Sequence, residues 1–219
     1  MAASNAEPER RPRRRYDATG RRERAARTRA TIYRAAFELF SERGYAGTTI
    51  ADIAAAAGVS SETIHKMGPK SSLLDGAREV AVFDDSDIAS VGDTDVMGRV
   101  AAQGSFPAAV EVLVDFYAVS NRRAARFWVS WRAAASEEPA VAEAWQVEMA
   151  SARRAFEASI AFGRSRGWLR DDVEDQELAA TLWLLASAET YVRLTADAGL
   201  DEDGYRAWLR RSLLEQLGS

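Results

Sequence analysis

Apolar residues recur at three- and four-residue spacing along most of this chain, which is the period of an amphipathic helix. The clearest apolar stripe runs from Thr28 to Arg43, and Gly44 ends it in the way that glycine ends many helices. No alternating pattern of the kind that indicates a strand appears. Later stripes predict further helices over residues 105–121, 122–136, 138–164, 174–198 and 201–217. The predicted fold class is therefore all-α.

Two short helices are predicted directly after the first one. Thr48 or Thr49 caps a helix over residues 50–56, because a threonine hydroxyl accepts a hydrogen bond from a free backbone amide. Gly58 permits a tight turn, and Ser60 then caps a third helix. A helix this short cannot bury enough surface to stand alone, so two neighbours must hold it while its outer side chains stay free. The pattern is typical of a helix-turn-helix.

A longer amphipathic helix is predicted beyond Lys70, as far as about Phe83. The acidic, glycine-containing segment 84–98 then favours a loop or a frayed connector. The predicted organisation is a flexible basic arm, a three-helix helix-turn-helix module and a larger helical body, over residues 1–26, 27–85 and 86–219 respectively.

Charge is divided unevenly between the two ends of the chain. Residues 1–80 carry fifteen Lys and Arg against ten Asp and Glu, whereas residues 81–219 carry fourteen against twenty-three. A basic N-terminal part on an acidic protein is the pattern expected of a nucleic-acid-binding module joined to a body with another task. The arginine clusters of the arm, which Gly20 and two prolines interrupt, have two interpretations: a solvated tail, or an arm that touches DNA.

Composition disfavours several classes of protein. The chain has no cysteine and a single histidine, His65, so thiolate chemistry is absent and a histidine-based metal site has little support. It also lacks a glycine loop that would cradle phosphates, and we predict no enzyme, no cofactor and no metal. The arginine-rich N-terminus lacks the apolar segment of a secretory signal, which favours a cytoplasmic protein with no membrane contact.

The segment from Thr31 to Ser60 resembles the DNA-binding domain of TetR/AcrR family transcriptional regulators. It combines Phe40-x-x-x-Gly44-Tyr45, a Thr-Thr cap, Ile-Ala at the second helix and Gly-Val-Ser at the turn, in the family's order and spacing. The resemblance covers about residues 28–75 of the chain. It implies a homodimer that binds palindromic operator DNA, with a larger helical domain for effector binding and dimerisation.

Helix-turn-helix geometry and the resemblance together identify candidate DNA contacts. Short or polar side chains on the third helix reach base edges, while threonines at a helix N-terminus and a lysine after the third helix contact phosphates. The candidates are Thr48, Thr49, Ser60, Ser61, Glu62, Thr63, His65, Lys66 and Lys70. The chain departs from the family after His65, where it is one residue short, so the equivalences beyond that point shift by one position.

Candidates in the body are aromatic and apolar. In the family a pocket lies within the middle helices, and the side chains predicted to line it are Phe116, Trp128, Trp131, Trp145, Met149 and Trp183. They would suit an apolar or aromatic small-molecule effector, although large aromatics also build ordinary cores. The last helices form the family's dimer interface, and here the candidates are Leu178, Leu182, Leu185, Trp208, Leu213 and Leu217. The alternative is that these residues close the core of one chain.

These patterns predict a TetR-like regulator, a repressor that a small-molecule effector releases from its operator. An activator is a close alternative, because the sequence carries no sign of the direction of regulation. The rival from another class is a helical ligand-binding or catalytic protein whose N-terminal module makes protein contacts. The salt dependence of DNA binding separates the two.

Overall fold

The computed structural model describes residues 15–83 and 96–219, and within them the all-α prediction is confirmed. The only β pairing in this part is an isolated bridge between Leu169 and Gly218. The helices are α1 Arg15–Arg43, α2 Ile50–Ala57, α3 Ser61–His65, α4 Leu73–Phe83, α5 Val96–Ala101, α6 Phe106–Ala135, α7 Pro139–Ser165, α8 Asp175–Ala186, α9 Ala188–Val192 and α10 Glu202–Leu217. We call α1–α4 the module and α5–α10 the body.

Helix α1 begins at Arg15, thirteen residues before the apolar stripe that predicts it at Thr28. Part of the predicted arm is therefore helical, and residues 1–14 lie outside the described residues. Gly20 does not break the helix, because a glycine inside a helix costs only about 1 kcal/mol and keeps its backbone hydrogen bonds. Its carbonyl also accepts a hydrogen bond from Arg24 Nε at 3.2 Å.

The predicted caps of the short helices are confirmed. Thr49 caps α2 and forms a capping box with Asp52, in which each side chain bonds the other residue's backbone amide. Gly58 then takes the left-handed conformation, with φ 65°, which a residue with a Cβ adopts at a cost. Ser60 caps α3 by accepting a hydrogen bond from the Thr63 amide.

The core of the module continues into the body. Its buried members on α1–α4 include Ile32, Phe37, Phe40, Ile53, Ile64 and Leu74, and those on α6 and α7 are Ala124, Phe127, Trp131, Ala134 and Val141. Helix α4 packs very closely on α1, because a Cβ at Gly76 would lie 2.3 Å from the Tyr33 ring. Arg123 of α6 donates to the Val80 carbonyl of α4, which ties that helix to the body.

Helix α6 runs for 30 residues without the break predicted between residues 121 and 122. Asn121 is polar but buried, and its amide nitrogen donates to the Ala186 carbonyl at 3.0 Å and to Tyr205 Oη at 3.2 Å. A buried amide with two acceptors is a satisfied core residue, so it does not end the helix.

The segment predicted as one helix over 174–198 is divided. Helix α8 ends at Ala186, and Ser187 adopts an extended conformation and caps α9. A π-helical turn over Arg193–Asp197 follows.

The loop predicted over residues 84–98 ends earlier than predicted, because α5 begins at Val96. A second core lies between the helices of the body, and its buried members are Val110, Val114, Ala118, Ile160, Leu169, Leu178, Ala179, Leu182, Tyr205, Leu209, Leu213 and Leu217.

Candidate nucleic-acid interface

Helix α3 is anchored by one residue and presents the others outward. Ile64 is fully buried in the core of the module, at 0% exposure. Ser61 and Thr63 are half-buried, and the remaining side chains of this turn, Glu62, His65 and Lys66, are exposed. The arrangement supplies a short polar surface on a rigid support, which is the geometry that major-groove reading requires.

Helix α3 also carries an exposed ion pair. Lys66 Nζ lies 2.9 Å from Glu62 Oε1, one helical turn away. Exposed pairs of this kind contribute little to stability, so exchanging the carboxylate for a DNA phosphate costs little. Lys66 is therefore held on the outer face of α3 without being buried there.

The two capping hydroxyls are exposed but already bonded. Thr49 Oγ1 and its backbone amide both donate to Asp52 Oδ2, at 2.5 and 2.9 Å. These hydrogen bonds lower the pKa of the Asp52 carboxyl, the side-chain bond contributing most. Ser60 Oγ accepts from the Thr63 amide at 3.2 Å and lies 2.9 Å from Thr63 Oγ1. Thr49 and Ser60 therefore determine where α2 and α3 begin, independently of any further contact that their oxygens make.

Thr48 belongs to the interior, against its prediction as a phosphate contact. Its side chain is 1% exposed. Its hydroxyl lies within hydrogen-bond distance of the carbonyls of Leu39, at 3.2 Å, and Gly44, at 2.8 Å. The hydroxyl is therefore engaged with the backbone at the end of α1 and is not presented to solvent.

Lys70 is likewise engaged inside the chain. Its Nζ donates to the carbonyls of Tyr45 at 2.9 Å and Thr48 at 3.2 Å. The ammonium also lies 3.9 Å from the centre of the Tyr45 ring, a cation–π contact. Lys70 therefore has a structural role, because two of its donors point at the loop between α1 and α2, and its contact with a phosphate stays a prediction.

Comparison with known proteins agrees with this geometry. Residues 32–66 match the family model described as bacterial regulatory proteins of the tetR family. The N-terminal module is therefore similar to that family over the helix-turn-helix. The match covers α2 and α3 together with the part of α1 that packs on them. No curated protein sequence matches the chain.

Solved structures extend the likeness from the module to the body. A transcriptional regulator from Saccharomonospora viridis in complex with choline is 19% identical, with a TM-score of 0.68 over 89% of this chain and 99% of that one. A tetR-family regulator from Mesorhizobium loti is also 19% identical, with a TM-score of 0.66 over 90% and 99%. The SmeT–triclosan complex is 18% identical, with a TM-score of 0.63 over 88% and 92%. At such identities the likeness shows the fold.

Half of the predicted pocket residues come together. The indoles of Trp128 and Trp131 stack with centroids 5.5 Å apart, and Trp145 meets Trp131 edge-on at 5.7 Å. We call these three side chains the tryptophan cluster. They pack against the core of the module, where Phe127 of α6 meets Phe37 of α1 at 5.5 Å. The cluster therefore lies where body and module meet.

The other predicted pocket residues lie elsewhere. Trp183 stacks on Phe156 at 5.8 Å, Phe116 packs edge-on against Tyr117, and Met149 is half-buried on α7. A depression of about 380 Å³ borders Phe106, Trp168 and the end of α10. Another, of about 360 Å³, lies between α1 and α4. Neither is lined by a predicted pocket residue.

The predicted dimer contacts are mostly buried within one chain. Leu178, Leu182, Leu213 and Leu217 belong to the second core, because the inner face of α8 packs on α7 and α10, and α10 also packs on α6. Leu185 and Trp208 are partly exposed. The large apolar side chain that α8 leaves in solvent is Leu184, at 66% exposure. Four of the six candidates are thus corrected to core residues.

Two negative findings apply to the described residues. No three acidic or histidine side chains there are grouped so that they could hold a metal ion. No helix in this part of the chain has the length and apolar character needed to cross a membrane.

Proposed function

We propose that the chain regulates transcription by binding double-stranded operator DNA through α3. The observation that carries the proposal is the anchoring of α3 by Ile64, its one fully buried residue, which leaves Glu62, His65 and Lys66 on the outer surface. Polar and basic side chains on a rigid short helix suit base edges and phosphates. Thr49, Ser60, Ser61 and Thr63 flank this face and complete the proposed contact set.

A homodimer is part of the proposal, since one short helix reads few base pairs and two modules about 34 Å apart read a palindrome. Helices α8 and α10 supply the surface. Their inner leucines fill the body, while Leu184, Leu185 and Trp208 remain wholly or partly exposed. Several apolar side chains left partly in solvent on the same two helices suit contact with a second copy better than one isolated leucine would.

We also propose that the protein is a repressor released by a small molecule. A transcriptional regulator of the same fold was solved with choline, and SmeT, which also shares the fold, was solved with triclosan. In this chain the tryptophan cluster provides an aromatic surface next to the module, and Trp131 Nε1 is a buried donor with no acceptor among the described residues. An apolar or aromatic effector that carries a hydrogen-bond acceptor fits that chemistry.

The decisive experiment selects bound sequences from a random pool of double-stranded DNA with the full-length protein, near physiological salt. We expect a palindrome and an affinity that falls steeply as salt rises. Lys66→Ala should weaken binding and reduce the salt slope by about one. Glu137→Ala, at an exposed site on the turn between α6 and α7, is the control. No enriched sequence would refute the proposal and favour a module that makes protein contacts.

A further inference from the structure

The loop between α1 and α2, residues 44–48, is held by the body. The Tyr45 amide donates to Ser130 Oγ of α6 at 2.8 Å. The Tyr45 hydroxyl donates to Glu138 Oε2, at the start of α7, at 3.0 Å. Tyr45 is 3% exposed, and burial together with the Glu138 carboxylate raises the pKa of its hydroxyl, which stays protonated as a donor.

The opposite side of this loop is held by the module. Lys70 donates to the carbonyls of Tyr45 and Thr48, and the Thr48 hydroxyl lies against those of Leu39 and Gly44. The Phe40 ring meets that of Tyr45 at 5.2 Å. The loop is therefore fixed from two directions, and the contacts to Ser130 and Glu138 are the ones that depend on the body.

The position of the loop determines where α2 starts. Thr49, the cap of α2, follows Thr48 directly, and α3 packs on α2 through the turn at Gly58. A rigid cap transmits a displacement of the loop to both helices, since packed elements move as units. The distance between the two α3 helices of a dimer must match the operator, so small rotations matter.

We propose that Ser130, Glu138 and Tyr45 form a brace by which the body positions the helix-turn-helix for operator binding. The brace rests on the proposed function and adds positioning residues outside α3. It is separate from the covalent connection through α4. Its body side lies beside the tryptophan cluster, because Ser130 precedes Trp131 and Glu138 stands two turns before Trp145. A molecule that rearranged those indoles would act on the loop.

The test uses the full-length protein and its selected operator. Tyr45→Phe removes one hydroxyl and Glu138→Ala removes its acceptor, and each should weaken operator affinity by up to about tenfold, the limit reached when the whole contribution of the hydrogen bond goes into positioning the loop. Because both break one bond, the double variant should be no weaker than the single ones. The salt slope should stay unchanged, since no phosphate contact is lost.

Two comparisons separate positioning from general damage. Glu138→Gln keeps an acceptor and should restore most of the affinity that Glu138→Ala loses, while Glu137→Ala on the same turn should change nothing. Hydrogen exchange at the Tyr45 amide should rise in Glu138→Ala and not in Glu137→Ala. Full affinity in both Tyr45→Phe and Glu138→Ala would overturn the brace alone. Absence of operator binding by the native chain would overturn the proposed function, and the brace with it.

Discussion

The module groups positions where the backbone accepts few residue types within residues 49–60, whereas the body has such positions far apart, between long helices held mainly by the apolar area that they bury. In the module Thr49 caps α2, Gly58 stands at positive φ, and Ser60 caps α3. In the body a core position such as Leu182 accepts several apolar residues of similar volume. A position with a required backbone geometry restricts the residue type and so produces a recognisable sequence motif. A buried position requires only an apolar residue, so it shows only as apolar residues at helical spacing. The contrast explains why the family model matches residues 32–66.

The largest effect is expected where the two regions share a core. Phe127→Ala should lower the free energy of unfolding by about 3–5 kcal/mol, because a fully buried ring would be replaced by a cavity. Denaturant unfolding followed by circular dichroism measures this. Val147→Ala, at an exposed site on α7, should cost less than about 0.5 kcal/mol. Equal losses in the two variants would contradict the placement of Phe127 in the core that module and body share.

A smaller effect distinguishes inward from outward leucines in the body. Leu184→Asp should raise the dimer dissociation constant by at least about tenfold in sedimentation equilibrium, since it places a charge on the proposed interface. Its thermal midpoint as a monomer should hardly change. Leu182→Asp, on the buried face of the same helix, should instead unfold the chain. A native protein that is monomeric at every concentration contradicts the dimer.

Two glycines at left-handed turns give a matched pair across the regions. Gly58 has φ 65° and Gly167 has φ 66°, and a Cβ at either would meet nothing within 4 Å. Alanine at each should therefore cost about 1 kcal/mol of stability through backbone strain alone. Only Gly58→Ala should also weaken operator affinity, because that turn orients α3. A loss of operator affinity in Gly167→Ala would extend the interface into the body.

The smallest effect concerns acid. The lowered pKa of Asp52 means that its cap stabilises the fold above about pH 4 and loses this contribution as the pH falls through the lowered value. The unfolding midpoint of the native protein should therefore drop further between pH 6 and pH 3 than that of Asp52→Asn. Asp172 of the body, paired with Arg170, should show the same trend but greater salt sensitivity. Identical acid responses of the native protein and Asp52→Asn would contradict the capping role.

For the module the sequence predicts the short helices and the residues that cap them. For the body it predicts only that helices are present and roughly where they lie. The start of α1 could not be predicted, because residues 15–27 have no apolar stripe. This first part of the helix carries exposed ion pairs such as Glu23–Arg27 instead. The continuity of α6 through Asn121 could not be predicted either, because the acceptors of the Asn121 amide lie 65 and 84 positions later in the chain. Partners at such a distance leave no local signal.

The candidate site residues also differ in how far the sequence predicts them. The polar face of α3 follows from helical period and capping, so the sequence indicates it. Whether Leu178 or Leu184 faces a partner depends on how α8 is rotated against α7 and α10, and the apolar period alone does not determine that angle. Tyr45 belongs to the Gly-Tyr pair that carries the resemblance, yet its bond to Glu138 spans 93 residues and required the structure.

The length of α6 has a consequence for exchanging parts between regulators. At about 1.5 Å per residue the helix is roughly 45 Å long, and its second half completes the core beneath α1. A chimera joined near residue 85 would set Phe37 and Phe40 against foreign side chains. We expect chimeras to be functional when they carry residues 121–141 together with the module. The part that must be transferred as a unit is therefore discontinuous in the chain.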